Sequence, residues 1–310
     1  MPFHNRIAIA SPTGALLNVY ASYAEATPVG VVQINHGLAE HAGRYARLAE
    51  RLVMYGFHAY AHDHRGHGST TAAGAARGQF GRKDGGATVL ADVTAILDLI
   101  ETQHPGLPVV VFGHSMGGLI AMETLLRHAR RIRAAAIWNI NPGDAVSIAA
   151  ARAMLAWERF RLGSDMPSRL MLRLTFRAWG RAIHNARTEF DWLSHDPVEV
   201  NKYIADPLCG WAPSVGMWRD IFEWMAHLAQ DRAFDGVRRD IALHLTAGGE
   251  DPATRGGRAT LRLAERLRRL GFTDVTFTAH PTARHEGLND TDRNRTVDEF
   301  ISWARRVVRN

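Results

Sequence analysis

Short apolar runs alternate with helix-like segments along most of the chain. Two alternating segments, 4–10 and 15–23, flank the turn-like Ser-Pro-Thr-Gly and predict a β-hairpin. Denser apolar runs predict buried strands at 29–35, 57–63, 107–113, 134–140, 241–248 and 275–280. Apolar residues at helical spacing predict helices near 44–55, 86–102, 116–128, 253–270 and 291–309. Apolar strands that alternate with helices indicate an α/β fold, a mostly parallel sheet with helices on both faces.

The alternation stops in the middle of the chain. Residues 142–237 show helical periodicity and loops without a convincing buried strand, and they hold six of the eight tryptophans. A stretch of this length is longer than a connecting loop should be. We therefore expect one α/β core built from 1–141 and 238–310, interrupted by a helical cap at 142–237.

The strongest chemical signal is Gly-His-Ser-Met-Gly at 113–117, between a predicted strand and a predicted helix. A serine on such a turn is lifted clear of the backbone, and flanking glycines such as Gly113 and Gly117 avoid steric conflict with the strand and helix. The helix N-terminus adds N–H groups where an oxyanion would develop. Ser115 is the predicted nucleophile; the alternative is an ordinary serine N-cap.

A serine nucleophile needs a base and a residue that orients the base, and in this fold order both follow the serine. Asp251 comes just after the strand at 241–248, and His285 follows the strand at 275–280. Both lie at carboxyl ends of strands, where open α/β sheets bind ligands. We assign His285 as general base and then acid, and Asp251 as the group that orients it. Competing acids are Glu250, Asp235 and Asp240, and Asp251 has the alternative role of a helix cap.

The loop at 36–41, His-Gly-Leu-Ala-Glu-His, follows the strand at 29–35. In this arrangement a backbone N–H from that loop completes the oxyanion hole with the N–H that follows the nucleophile. Leu38 and Met116 are therefore the predicted donors, and a plain glycine-containing turn is the alternative.

Composition limits the other classes of function. The formal charge is +6, but the 35 arginines are spread along the chain without the single basic stripe that nucleic-acid binding requires. Cys209 is the only cysteine, and the run of His62, His64 and His67 has Gly66 where a two-metal site needs an aspartate, so we expect no metal. No apolar run approaches the roughly 18 residues of a membrane span, and no export signal is visible, which favours a cytoplasmic protein.

Five ordered motifs resemble those of one family. His-Gly-Leu-Ala-Glu-His-Ala-Gly-Arg-Tyr, Ala-His-Asp-His-Arg-Gly-His-Gly-Ser, Gly-His-Ser-Met-Gly-Gly, Gly-Gly-Glu-Asp-Pro and Arg-His-Glu-Gly-Leu-Asn-Asp are similar to motifs of the monoacylglycerol lipase and lysophospholipase group of α/β-hydrolases. The resemblance implies the α/β-hydrolase fold, a helical cap over an acyl pocket, no cofactor, and a triad at Ser115, Asp251 and His285. The chain departs from the family at Gly85-Gly86, where Gly-Trp is common, and at Asp290, where a glutamate is usual.

The resulting expectation is serine-dependent hydrolysis of an ester with one acyl chain, such as a monoacylglycerol or lysophospholipid. Apolar cap residues should line its pocket: Met154, Leu155, Trp157, Phe160, Met166, Met171, Phe176 and Trp179. Alternatives on the same triad are a short-chain carboxylesterase, a thioesterase and an acyltransferase, and a different class is a non-catalytic binding module. The arginine-bearing segment 145–163 also allows weak contact with a membrane surface, and the oligomeric state is open.

Overall fold

The computed structural model describes residues 3–309, and eight strands in this range form one sheet. The strands are β1 (Asn5–Ala10), β2 (Leu16–Ser22), β3 (Gly30–Asn35), β4 (Phe57–His62), β5 (Val109–His114), β6 (Ala134–Trp138), β7 (Ala242–Gly248) and β8 (Val275–His280). Their order across the sheet is β1-β2-β4-β3-β5-β6-β7-β8. Strand β2 is antiparallel to both of its neighbours, and all other neighbouring pairs are parallel. The predicted hairpin and the mostly parallel sheet are confirmed.

Ten α-helices lie within the described residues. They are α1 (Ala46–Met54), α2 (Gly85–Gln103), α3 (Met116–His128), α4 (Ala145–Leu162), α5 (Arg169–Leu174), α6 (Phe176–Arg181), α7 (Pro197–Ala205), α8 (Val215–Leu228), α9 (Arg258–Arg269) and α10 (Arg293–Arg309). The helix predicted at 253–270 begins only at Arg258, because Gly256 and Gly257 hold a turn with positive φ before it. In the part of the chain that the structure describes, no helix is both long and apolar enough to cross a membrane.

The core strands bury both faces, and their alternating side chains enter two different apolar clusters. Along β5, Val109 and Val111 pack with the apolar sides of α2 and α3, whereas Val110 and Phe112 pack with α1 and α10. This alternation follows from the period of two residues in a strand. Burial of such a side chain contributes about 1.5–3 kcal/mol, so the register of the central strands is strongly determined.

Residues 142–237, the expected cap, contain α4–α8 and none of the eight strands. Helix α4 packs on α8, and α8 also packs on α2 and α3 of the core. The structure explains why glycine stands at position 86: a Cβ on Gly86 would lie 3.0 Å from the Trp224 indole nitrogen. Trp224 of α8 therefore packs closely against Gly86. Burial raises the pKa of neighbouring Asp220 to about 6.

Candidate active site

Ser115 lies on the sharp turn between β5 and α3. Its backbone has φ 55° and ψ −118°, and its side chain makes no capping hydrogen bond with the helix that it precedes. A Cβ on Gly113 would lie 1.9 Å from the Gly117 carbonyl oxygen, and one on Gly117 would lie 2.0 Å from the Asn35 carbonyl oxygen. Neither glycine can therefore carry a side chain without movement of the backbone. The tight turn holds Ser115 in a strained conformation, as is typical of functional sites.

Asp251 and His285 are brought together from the loops after β7 and β8. His285 Nδ1 lies 2.9 Å from Asp251 Oδ2, and both side chains are buried. The same carboxylate accepts hydrogen bonds from Asn139 Nδ2 at 3.0 Å, Thr254 Oγ1 at 2.8 Å and the Ala253 backbone N–H at 2.9 Å. With four donors around it, the carboxylate has one orientation, and it orients the imidazole in turn.

The Asp251 carboxyl is held in its ionised form. Burial alone would raise its pKa, but the facing His285 and the hydrogen bonds from His285, Asn139 and Thr254 outweigh burial and lower the pKa below its ordinary value. The competing Glu250 points elsewhere, because its Oε2 lies 3.0 Å from His195 Nε2 at the surface. Glu250 is thus not part of the His285 pair.

A cavity of about 580 Å³ lies between the sheet edge and the helices of the cap segment. Ser115, Met116, Leu38 and His285 all line it, so the predicted nucleophile, base and oxyanion donors face one space. No hydrogen bond from the backbone N–H of Leu38 or Met116 reaches another residue in the range 3–309. Both N–H groups are therefore available to an oxygen atom in the cavity.

A buried ion network lies directly beneath these groups. The Arg44 guanidinium donates to both Glu286 oxygens, at 2.6 and 2.7 Å, and also to Glu40. Glu40 Oε1 accepts from the Gly37 backbone N–H at 2.6 Å and from the Tyr45 hydroxyl at 2.8 Å. Gly37 precedes Leu38 and Glu286 follows His285, so the network joins the loop at 36–41 to the loop that carries His285.

The ionised forms of this network are mutually stabilised. Burial would raise the pKa of Glu40, but Arg44 and His114 hold it well below its ordinary value. Burial would lower the pKa of Arg44, but Glu286 and Glu40 raise it well above its ordinary value. His114, next to Ser115, has Nε2 2.9 Å from the His285 carbonyl oxygen and Nδ1 3.8 Å from Glu40 Oε1. The turn at Ser115 is therefore tied to the same network.

Residues from the segment 142–237 contact the loop that carries His285. The Trp192 ring lies 5.0 Å and the Trp179 ring 6.4 Å from the His285 imidazole, measured between centroids. The Glu286 backbone N–H also donates to the Leu193 carbonyl oxygen at 2.7 Å. Residues from the cap segment thus shield the imidazole from water on one side.

The apolar residues expected to line the pocket divide into two groups. Met154, Met171, Phe176 and Trp179 do line the cavity. Leu155 is buried in the apolar core instead, and three residues point outward with large exposed fractions: Trp157 at 51%, Phe160 at 90% and Met166 at 52%. The expectation was wrong for these four residues. Leu155, Trp157 and Phe160 face away because helix α4 presents the face of Ser147, Ala150, Ala151 and Met154 to the cavity, and Met166 lies in the loop after α4.

Two groups of side chains in the structure have the residue types of metal ligands. The rings of His62 and His64 are buried, and burial lowers the pKa of His62 to about 4. In residues 3–309, the group whose ligand atoms lie within 4.8 Å of one another is a different one: His41, Asp206 and Cys209. There, His41 Nε2 already contacts Asp206 at 2.9 Å, and burial raises the pKa of the Cys209 thiol. In this group burial therefore favours the neutral form of the Cys209 thiol.

The sequence reasoning missed the groups that support the predicted residues. Asn139 and Thr254 bind the Asp251 carboxylate, and Arg44 joins Glu40 to Glu286. One signal was present, because Glu40 and Arg44 are four residues apart, which is the spacing of a helical ion pair. The contact with Glu286, 242 residues away, has no signature in the spacing.

A strained serine turn after a parallel strand, with a histidine–carboxylate pair on the following strand ends, defines the α/β-hydrolase class. The chain belongs to the Hydrolase_4 family, described as serine aminopeptidase, S33, whose model matches residues 26–292. The predicted fold and the predicted family resemblance are both confirmed by this match and by the relatives described next.

The relatives are hydrolases of lipids and esters. The chain is 29% identical to a monoacylglycerol lipase of Mycolicibacterium smegmatis over 291 residues, which covers 89% of this chain and 88% of that protein. It is 38% identical to human monoglyceride lipase over 98 residues, only 32% of this chain and 30% of the human protein. A carboxyl esterase from Bacillus coagulans, solved in complex with glycerol, has a TM-score of 0.88 at 24% identity, covering 98% of each chain. This last similarity shows the fold.

Proposed function

We propose that the protein hydrolyses carboxylic esters through an acyl-enzyme on Ser115. The observation that carries the proposal is the 2.9 Å contact between His285 and Asp251 beside the cavity that Ser115 also lines. An ionised, fully buried carboxylate keeps the proton on Nδ1 of the imidazole and leaves Nε2 free to accept one. We also propose that the Ser115 hydroxyl donates a hydrogen bond to His285 Nε2 when substrate is attacked.

The reaction has two balanced steps. Ser115 Oγ attacks the ester carbonyl carbon while His285 Nε2 takes the hydroxyl proton, and the Leu38 and Met116 N–H groups stabilise the oxyanion. The C–O bond then breaks, and the alcohol leaves with the proton from His285. In the second step water attacks the acyl-enzyme, His285 takes a proton from the water, and the acid leaves as Ser115 regains its proton.

We propose an ester with one acyl chain, of the monoacylglycerol or lysophospholipid type, as the substrate. The relatives named lipases support this class, and apolar side chains such as Met171, Phe176 and Trp218 provide a wall for an acyl chain. A peptide with a free N-terminus fits this cavity less well as a substrate, because its α-ammonium group would need a free carboxylate to bind. The carboxylates on the cavity wall, Glu40 and Glu286, are both bound to Arg44.

We further propose that residues 142–237 form a cap that closes the cavity on the side opposite the sheet. Helices α4, α5, α6 and α8 all contribute side chains to the cavity. Without them the reacting atoms would lie open to water at the edge of the sheet, where the hydrogen bonds to the oxyanion would be weaker.

The proposal is tested by comparing the wild type and Ser115→Ala on p-nitrophenyl esters of increasing chain length and on a p-nitroanilide. We expect the wild type to hydrolyse the esters and the variant to lose at least about a thousandfold in kcat/KM. A fluorophosphonate should label the wild type and not Ser115→Ala. Ester hydrolysis that survives in Ser115→Ala would show that Ser115 is not the nucleophile. A wild type that is inactive on all esters would favour the binding-module or acyltransferase interpretations.

A further inference from the structure

The cavity wall carries a cationic side chain, Arg255, whose ion pair is long and exposed. Arg255 is the only lysine or arginine on the cavity wall in the part of the chain that the structure describes. Its nearest charge partner is Asp144, with 3.9 Å between Nη2 and Oδ2, which is beyond hydrogen-bonding distance. Both side chains are more than half exposed, at 54% and 55%. The guanidinium is therefore accessible to a substrate anion, in competition with Asp144.

Polar side chains share the cavity wall with Arg255. Asn141 Nδ2 donates to the Ala253 carbonyl oxygen at 2.9 Å, and the Ser147 backbone N–H donates to Asp144 at 2.9 Å. Asn141 and Ser147 line the cavity together with Arg255. These polar side chains differ from the apolar wall around Phe176, so the alcohol part of an ester fits near them and the acyl chain fits the wall.

The backbone at Arg255 has a positive φ, which is an independent sign that this side chain has a role. Arg255 has φ 57°, and the next two residues, Gly256 and Gly257, have φ 67° and 77°. Glycine adopts this left-handed region at little cost, whereas a residue with a Cβ is strained there. In the turn after Asp251, two of the three residues with positive φ are thus glycine. The third is Arg255, which is strained there and lines the cavity.

We propose that Arg255 is a specificity residue that binds an anionic group on the alcohol part of the ester, such as the phosphate of an acylated glycerophosphate. The proposal rests on the ester hydrolysis proposed above and narrows its substrate class. A guanidinium recognises phosphate through parallel N–H donors. Asp144 competes with the substrate anion for the same guanidinium, so it weakens the preference without removing it.

The test is the ratio of kcat/KM for 1-acylglycerol-3-phosphate to kcat/KM for 1-acylglycerol, with the same short acyl chain and physiological salt. We expect Arg255→Gln to lower this ratio about tenfold and Asp144→Asn to raise it. Arg258→Gln is the matched control: it removes the same charge three residues away, where the side chain does not line the cavity. It should leave the ratio unchanged.

Three results would overturn the proposal. One is an equal ratio in the wild type and Arg255→Gln; another is an equal fall in Arg255→Gln and Arg258→Gln, which would indicate only the general attraction of a basic protein. A third is that Arg255→Gln loses rate on the monomethyl ester of a dicarboxylic acid and not on the acylated glycerophosphate. That result would place the bound anion on the acyl part of the ester. A failure of the proposed function is distinguishable, since then the wild type hydrolyses neither acylglycerol.

Discussion

The two walls of the cavity are held together by different forces. The wall on the core side carries buried charged groups joined by directional bonds, with Asp251, Arg44 and Glu286 each fixed by at least two partners. The wall on the cap side is mostly apolar and is held by packing between α4 and α8. Hydrogen bonds fix atoms in distance and angle, whereas apolar contacts are non-directional. The chemistry should therefore depend on single core residues, and substrate preference on the cap as a whole.

The sharpest test of this difference is Asp251→Asn. An amide cannot hold the proton on His285 Nδ1 as the ionised carboxylate does, so we expect kcat to fall about 10³–10⁴-fold. Steady-state hydrolysis of a soluble p-nitrophenyl ester measures the effect. Glu250→Gln is the matched control, because Glu250 is the adjacent residue and its carboxylate contacts His195 at the surface instead of His285. Similar losses in both variants would mean that the loop as a whole, and not the Asp251 carboxylate, is required.

The next largest effect should come from Arg44→Met. The substitution keeps an apolar stem but leaves Glu40 and Glu286 buried without their cation. Breaking a buried pair in this way destabilises a protein by about 3–5 kcal/mol. Arg47→Met is the control, since Arg47 pairs with Glu199 at a 38% exposed position, where about 0–1 kcal/mol is expected. Urea unfolding measures both, and equal losses would contradict a special role for the buried network.

Buried histidines of the core should also make the fold sensitive to acid. Burial lowers the pKa of His36 and His67 to about 3 and that of His62 to about 4, while the unfolded chain takes up these protons near pH 6.5. The unfolded state therefore binds protons first as the pH falls. Stability should be complete above about pH 6.5 and decrease between there and pH 4.

His62→Phe tests the contribution of one of these histidines to the pH dependence of stability. Neither ring nitrogen of His62 has a hydrogen-bond partner in the described chain, so phenylalanine removes the titration without breaking a bond. We expect the dependence of the unfolding free energy on pH to weaken by about 1.4 kcal/mol per pH unit in that window. Ile34→Val, a loss of one methyl in the same sheet, should lower stability equally at every pH. An unchanged slope in His62→Phe would show that the imidazole is solvated.

Features that depend on residues close together in the chain could be predicted from the sequence. Strands such as β5 could be predicted because Val109–Val111 is a β-branched run bounded by proline and glycine. The serine turn could be predicted because its steric requirements select two glycines within five residues. Local rules suffice where neighbours in the chain are also neighbours in space.

Long-range partners could not be predicted in this way. The start of α9 was placed five residues too early, because the turn at 253–257 is shaped by the Asp251 carboxylate and not by its own periodicity. The outward direction of Phe160 was also missed, since apolar spacing along α4 does not say which side meets the cavity. Arg44 shows the same limit, because its partner Glu286 lies in a distant loop.

The smallest effect should come from the outer surface of the cap. Phe160 is 90% exposed, so Phe160→Ser should change the unfolding free energy by less than about 0.5 kcal/mol and leave the hydrolysis of a dissolved short-chain ester unchanged. Phe160 lies on α4 with the exposed Trp157 and Arg161, a composition suited to an anionic lipid surface. On vesicles that contain anionic lipid, we expect Phe160→Ser to lower the rate on a long-chain ester about threefold. Leu16→Ser, a 50% exposed apolar position on the core, is the control; equal rates in the two variants would show that the cap surface does not contact the vesicle.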